Sequence, residues 1–267
     1  MNFKRIELIF FIAFIALDIF LFTSYTQRDN AVESTANTSS RNTPTSIMKS
    51  IRNDQISYGT LSNKRREGFY IASPTKSNLK DRSNQLQGVL WSYNNHKLTV
   101  DFGTSIKIRD AANPQKTLDE VVEDSTKVID GKDYQYDSYL STKRTVVYTQ
   151  KASGWPVYTT NGQIRFAIRN GYVTEYTQGH LAKIETLREK KPMISQQRAL
   201  IWLYQYNKLI NNSTVEWVRL GYTQLLTVND STVYIPTWVI KVKSDSSGSV
   251  QYRRINAFTG AFMEEAN

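Results

Sequence analysis

The sequence predicts an α+β protein, with one N-terminal transmembrane helix followed by a body of helices packed on antiparallel sheets. Three observations carry this. A long apolar run lies near the start, period-two alternating runs are separated by Asn-Gly and similar turn dipeptides, and amphipathic helical stretches precede each group of such runs. The 267 residues are 40% hydrophobic, enough for a packed core. The formal charge of +10 comes from 34 basic and 24 acidic residues scattered along the chain. That scatter points away from nucleic acid as a partner. Lys64-Arg65-Arg66, Lys190-Lys191 and Arg253-Arg254 read as solvated faces. Cysteine is absent, which excludes a disulfide framework and thiolate metal sites.

The N-terminus sets the compartment. Lys4 and Arg5 precede an apolar run from Leu8 to Tyr25 that only Asp18 interrupts. At about 1.5 Å per helical residue the run spans roughly 27 Å, close to the hydrocarbon thickness of a bilayer. The Thr-Ser-Tyr-Thr-Gln that follows Phe22 is a poor cleavage site, so a retained anchor is expected over a removed signal peptide. The basic residues place the N-terminus in the cytoplasm and the body outside, giving a single-pass protein of the cell membrane. A carboxylate inside the span costs about 2.5–3.5 kcal/mol on insertion scales. Asp18 therefore faces a partner or is protonated or hydrated, and the sequence leaves both open.

Four regions follow: a cytoplasmic end and anchor at 1–25, a polar linker at 26–45, an N-terminal α/β lobe at 46–112 and a C-terminal lobe at 113–267. The linker, "TQRDNAVESTANTSSRNTPT", has Val32 as its only large apolar residue and cannot offset its ordering entropy. A short helix is expected at 46–57, with Ile47, Met48 and Ile51 on one face. Strands are expected at Phe69–Ala72, Gly88–Tyr93, Lys97–Phe102 and Ser105–Asp110, with a hairpin at Asn94-Asn95. The Thr117-Leu-Asp-Glu120 stretch has capping-box form and predicts a helix carrying Leu118, Val121, Val122, Val128 and Ile129, stopped at Gly131. Strands at Tyr134–Tyr139 and Arg144–Gln150 come next. Asn161-Gly162 and Asn170-Gly171 then bracket a strand with Ile164, Phe166 and Ile168 on one face, which predicts a three-strand meander.

The same order recurs. Ser195 can cap a helix with Ala199, Leu200, Leu203, Tyr206 and Ile210 in a stripe, followed by strands at Val215–Val228 (bent or split), Thr237–Val242 and Val250–Ala257 and a turn at Thr259-Gly260. A diverged duplication is expected, with pseudo-repeats at about 113–190 and 191–267.

Motifs for chemistry are sparse. The two histidines, His96 and His180, lie in expected turns and have no ligand spacing. No G-x-S-x-G, P-loop or G-x-G-x-x-G motif occurs. The acidic pairs Asp133 with Asp137, Glu123 with Asp124, and Glu264 with Glu265 read as exposed charges, although a wall enzyme using Asp133 and Asp137 is conceivable. No catalytic, cofactor or metal residue is assigned. Among 16 Tyr, 11 Phe and 5 Trp, most are expected on sheet faces and one or two as interface anchors.

Two stretches carry a resemblance. "MNFKRIELIFFIAFIALDIFLF" resembles the N-terminal anchor of the YycI proteins of low-GC Gram-positive bacteria, and "GWPVYTTNGQIRFAIRNGYVTEYTQGHL" is similar to that family's central pattern. The resemblance implies a non-enzymatic accessory protein of an essential cell-wall two-component system. Such a protein acts with the related YycH, associates with the WalK sensor kinase and modulates its signal to WalR, in either direction. It also implies contacts through the anchor, which nominates Phe11, Phe14, Asp18, Leu21 and Phe22 for partner binding. A looser likeness joins "ISQQRALIWLY" and "TWVIKV…YRRINAFTGAF" to PepSY-type modules, with Asn256 where that pattern usually has Asp. This second likeness implies an alternative role, an inhibitor or chaperone of a secreted wall hydrolase or protease.

Overall fold

The structure is a computed structural model that describes residues 10–21, 23 and 43–264. The chain divides into two compact units, Met1–Ser57 and Tyr58–Asn267. In the first unit, residues 10–21 form helix α1, with every described side chain exposed. Helix α2 is Pro44–Asn53, beginning two residues before the expected start. The Thr43 hydroxyl accepts the Ser46 N–H at 3.2 Å, and Pro44 follows it where a missing N–H leaves nothing unpaired. Ile47 and Ile51 are buried as the apolar spacing requires. Among the described residues no helix is long and apolar enough to cross a membrane. The expected span of 8–25 extends beyond the described residues at both ends, and most of the expected linker lies outside them.

The second unit carries two large antiparallel sheets and a two-stranded ladder of Glu67–Gly68 with Lys191–Pro192. The main strands of the large sheets in chain order are β1 (Ile71–Pro74), β2 (Leu90–Asn94), β3 (Lys97–Lys107), β4 (Tyr134–Tyr136), β5 (Thr145–Ala152), β6 (Gln163–Arg169), β7 (Tyr172–Gln178), β8 (Glu185–Thr186), β9 (Ser213–Val228), β10 (Ser231–Ser244), β11 (Val250–Asn256) and β12 (Phe262–Met263). Helix α3 (Gln115–Glu123) precedes β4, and α4 (Gln196–Gln205) precedes β9. The α+β class expected from the sequence is the one observed.

The first sheet runs β2-β3-β7-β6-β5-β4. Both of its tight hairpins follow turn chemistry: Asn170 and Gly171 take φ of 52° and 80°, and Asn95 and His96 take 49° and 60°. Helix α3 covers one face, where Leu118, Val121 and Val122 join Val146, Tyr148, Phe166 and Tyr176 in one core. Each such side chain contributes about 1.5–3 kcal/mol on burial. The capping box does not form. Helix α3 starts at Gln115, and the Thr117 hydroxyl accepts the Arg109 N–H at 3.1 Å, tying down the preceding chain instead of the helix end. The helix stops at Glu123, well before Gly131, while Val128 and Ile129 reach the core from the loop. That loop is pinned from β7: Tyr176 Oη donates to the Lys127 carbonyl and Gln178 Nε2 to the Ile129 carbonyl, both at 2.6 Å.

The second sheet runs β9-β10-β11-β12, with β1 on the remaining edge of β10 and β8 outside β1. Strand β9 is bent at register shifts near Trp217 and Leu226, as its length suggested. Ser195 caps α4 by accepting the Arg198 N–H at 3.2 Å. Ala199, Leu200, Ile201 and Leu203 are buried, but Tyr206 and Ile210 fall beyond the helix and are exposed, so the expected stripe is shorter. A helix followed by an antiparallel meander thus occurs twice. The duplication itself is not established: β5–β7 have seven or eight residues, whereas β9 and β10 have 16 and 14.

Asn161-Gly162 is not a hairpin. It lies in a single 3-10 turn, and the meander is built by β5, β6 and β7. The segment before it crosses between the sheets: Trp155 and Pro156 pair with the end of β5, while the Tyr158 N–H donates to the Tyr222 carbonyl at 2.7 Å. At that crossing a Cβ on Gly221 would lie 2.5 Å from the Tyr158 ring and 2.7 Å from the Pro156 oxygen. Gly221→Ala is therefore expected to cost about 1–3 kcal/mol by overpacking. Gly59→Ala, whose Cβ would meet nothing within 4 Å, serves as the control. Urea unfolding of both variants measures the difference, and equal midpoints would refute the close approach.

Candidate functional site

On an ideal helix, positions 11, 14, 18 and 21 fall within an arc of roughly 80°. Helix α1 thus presents Phe11, Phe14, Asp18 and Leu21 along one side. These apolar residues are 63%, 65% and 54% exposed respectively. Phe22, the fifth residue nominated with them, lies outside the described residues. Asp18 is the only charge in residues 10–21 of this apolar, exposed stretch.

The polar groups of the second unit divide by the work they do. His96 is a hairpin residue. His180 is 8% exposed at its side chain, with Nε2 3.2 Å from Asp133 Oδ2. Asp130, Asp133 and His180 bring one ligand-type atom each within 4.8 Å of one another. Arg82, however, forms an ion pair with Asp130 and so places a guanidinium in that cluster. The arrangement fits a knot of polar contacts joining the short helix Leu79–Arg82, the 130–133 turn and the chain just after β7 better than a metal site. Residues this far apart in sequence leave no spacing signature, which is why the sequence did not show the cluster.

Of Asp133 and Asp137, both read from the sequence as exposed charges, Asp133 is exposed and meets His180, whereas Asp137 is not, and the two carboxylates serve different partners. Asp137 is buried and accepts the N–H groups of Tyr139 and Leu140 at 2.9 and 3.0 Å. Asp124 accepts the Thr126 N–H and hydroxyl in the same manner. Asn256 does so in the closing hairpin, accepting Phe258 and Thr259 N–H groups at 2.9 and 3.2 Å. Gly260 completes that bend at φ 70° directly beneath the Trp202 ring, where no Cβ fits. A carbonyl oxygen suffices for such turns, so the Asn in place of Asp removes a charge without removing the function.

A family model for the YycI protein matches residues 34–258. The chain belongs to the YycI family. Membership suggests a role in the WalK/WalR two-component system and a regulatory rather than an enzymatic task. No curated protein matches the sequence. Among solved structures, an uncharacterized protein from Eubacterium rectale is 11% identical over 79% of this chain and 90% of its own, with a TM-score of 0.46. The YpeB C-terminal domain of Bacillus megaterium is 16% identical over 83% of this chain and 94% of its own, with a TM-score of 0.35. Neither likeness is strong enough to bear on role.

Two outcomes test the structural reading of these polar groups. Asn256→Asp keeps the acceptor and is expected within about 0.5 kcal/mol of the native stability, whereas Asn256→Ala loses about 1 kcal/mol. Equal loss in both variants, read from denaturant midpoints, would show that the amide itself is needed. For Asp137, burial raises the carboxyl above its ordinary range, against the lowering effects of the Leu140 and Tyr139 amides and the Arg219 charge. A raised folded value means stability that is fully present below the unfolded carboxylate pKa and lost as pH rises through the folded one. Asp137→Asn accepts the same N–H groups without ionising. It should match or exceed the native melting temperature at pH 7 and lose that advantage as pH falls through the carboxylate range. A variant several degrees less stable at pH 7 would show that the charge is required.

Proposed function

We propose that this YycI-family protein is a non-enzymatic, single-pass regulator that binds a WalK-type sensor histidine kinase together with a YycH-like protein in cell-wall signalling. The N-terminal apolar run is its anchor, residues 1–5 are cytoplasmic, and the body lies outside. The observation that supports this reading most directly is the exposed apolar helix α1 with Asp18 on the same side as Phe11, Phe14 and Leu21. In lipid, a lone carboxylate is costly unless it meets a donor, so a neighbouring helix is its natural partner.

Regulation then follows from differential binding. A protein that grips one signalling state of a kinase more tightly than the other shifts the population toward that state, by no more than the difference in binding free energy. No bond needs to be made or broken. The PepSY-like inhibitor or chaperone role would instead place the contacts on the body alone.

Photoreactive residues introduced one at a time through positions 10–21 of the full-length chain in cells test this. Capture of a sensor kinase and a YycH-like protein is expected from positions 11, 14, 18 and 21 and not from 13, 16 and 20 on the other side. Asp18→Asn should lower the co-purified kinase several-fold while leaving the protein's own level unchanged. Capture spread evenly around the helix, or only through the body, would remove α1 as the regulatory surface.

A further inference from the structure

The two sheets of the second unit face one another across a cleft of about 410 Å³. From β6 of the first sheet comes Arg165, which points away from the core shared by its neighbours Ile164 and Phe166. Lys97, at the start of β3, joins it on the same wall. The second sheet contributes Thr223, Val239, Tyr252 and Arg254, and the crossing segment contributes Thr159.

Arg165 and Lys97 are half-buried and lack a carboxylate. Among the described residues neither forms an ion pair. Burial holds the Lys97 ammonium below the ordinary lysine range, and the charge of Arg165 lowers it further. Burial also lowers Arg165, against a smaller opposing influence of Tyr252. Glu264 is the one acid lining the cleft among the described residues. Two partly desolvated cations that repel each other raise the free energy of the folded state unless a counter-charge joins them.

The wall is also prepared for a ligand. Gln163 is 3% exposed and fixed by donating Nε2 to the Val157 carbonyl, and its Oε1 accepts from Arg165 Nη1 at 3.0 Å. The guanidinium is thereby held in place with its other N–H groups free of that bond. Thr159 Oγ1 is buried and makes no hydrogen bond, a state that costs about 1–3 kcal/mol for a hydroxyl removed from water.

We propose that this cleft is a binding site for a dianionic phosphate group, held by Arg165 and Lys97. A guanidinium offers parallel N–H groups to phosphate oxygens, and two cations match a dianion better than a phosphodiester with its single charge. The site is separate from the α1 surface and does not depend on the regulatory role assigned to it.

Isothermal titration of the full-length chain in detergent, at fixed ionic strength, tests the site with inorganic phosphate, glycerol 3-phosphate and diethyl phosphate. Saturable binding of the first two is expected, with diethyl phosphate at least tenfold weaker. Arg165→Gln and Lys97→Met should each weaken phosphate at least tenfold. Both variants should melt, without phosphate, at or above the native temperature, because each removes a like-charge repulsion. A purely structural arginine would instead lower melting and leave the other ligands' ranking untouched. Absence of phosphate binding, unchanged binding in both variants, or a diester bound as tightly as the monoester would each overturn the proposal. Binding of glycerol 3-phosphate well above inorganic phosphate would place the group on an organic carrier, and equal binding would assign the free ion.

Discussion

The architecture of the second unit rests on a backbone crossing that tolerates no side chain at Gly221. Residues 155–158 leave the first sheet still bonded to β5, with the Val157 N–H on the Gln150 carbonyl at 2.9 Å, and within one residue are bonded to β9 through Tyr222. Such an exchange requires two backbones within hydrogen-bonding distance, and a Cβ on Gly221 would occupy the space of the Tyr158 ring. The crossing is apolar. Val157 and Tyr222 are fully buried, joined by Ile71, Ala152, Leu181 and Tyr234 in their own apolar cluster. Gln150 satisfies its buried amide there by exchanging bonds with both backbone groups of Leu181. The Val157 and Tyr158 amides and the Gln150 side chain therefore each meet a partner inside the crossing, which is the condition for burying backbone at all.

From that crossing follows an unusual distribution of apolar and polar faces. In a β-sandwich the facing sides of the two sheets form the core. Here the first sheet turns its apolar face outward to α3, where Phe166, Tyr176 and Leu118 meet. The second buries Trp238 beneath the chain that leads into α4, with the indole N–H donated to the Ile194 carbonyl at 2.9 Å. The faces left toward each other carry Arg165, Lys97, Thr223 and Arg254, and are joined at one side by aromatic contacts of Trp217 with Tyr139, Tyr158 and Tyr252. Arg219 stacks over Tyr139 at 3.8 Å within the same contact, so its charge is partly met by a ring face. A polar cleft between two helix-covered sheets is thus a consequence of where the cores lie.

Much of this was legible in the sequence where a local rule decides the outcome. Asn170-Gly171 fixed a hairpin because both residues must adopt positive φ, and Ser195 capped α4 because a free first turn needs an acceptor. The rules failed where tertiary contacts outbid them. Thr117 had a capping pattern but its hydroxyl serves Arg109, and Asn161-Gly162 had a hairpin dipeptide yet turns as 3-10 because the flanking segment is claimed by Tyr222. Phe11, Phe14, Asp18 and Leu21 were nominated through the family resemblance, and helical spacing then places the four along one side of α1. The facing of Arg165 toward Lys97 was not, since strand alternation tells which residues share a face and not what stands opposite it.

The acidic and amide residues that look available for chemistry in the sequence are mostly occupied by backbone. Asp110, Asp124, Asp137 and Asn256 each accept N–H groups two or three residues ahead, holding loops in which no strand partner exists. A carboxylate so engaged has its lone pairs directed along its own chain and is a poor base toward anything else. The cations differ, because Arg165 and Lys97 have no such local task beyond the bond to Gln163. An arginine held by a buried glutamine inside a protein costs stability to maintain, and that cost is offset only when something negative arrives. Under the proposed role of favouring one state of a partner, groups with unmet charge are the ones through which outside chemistry would change the binding equilibrium.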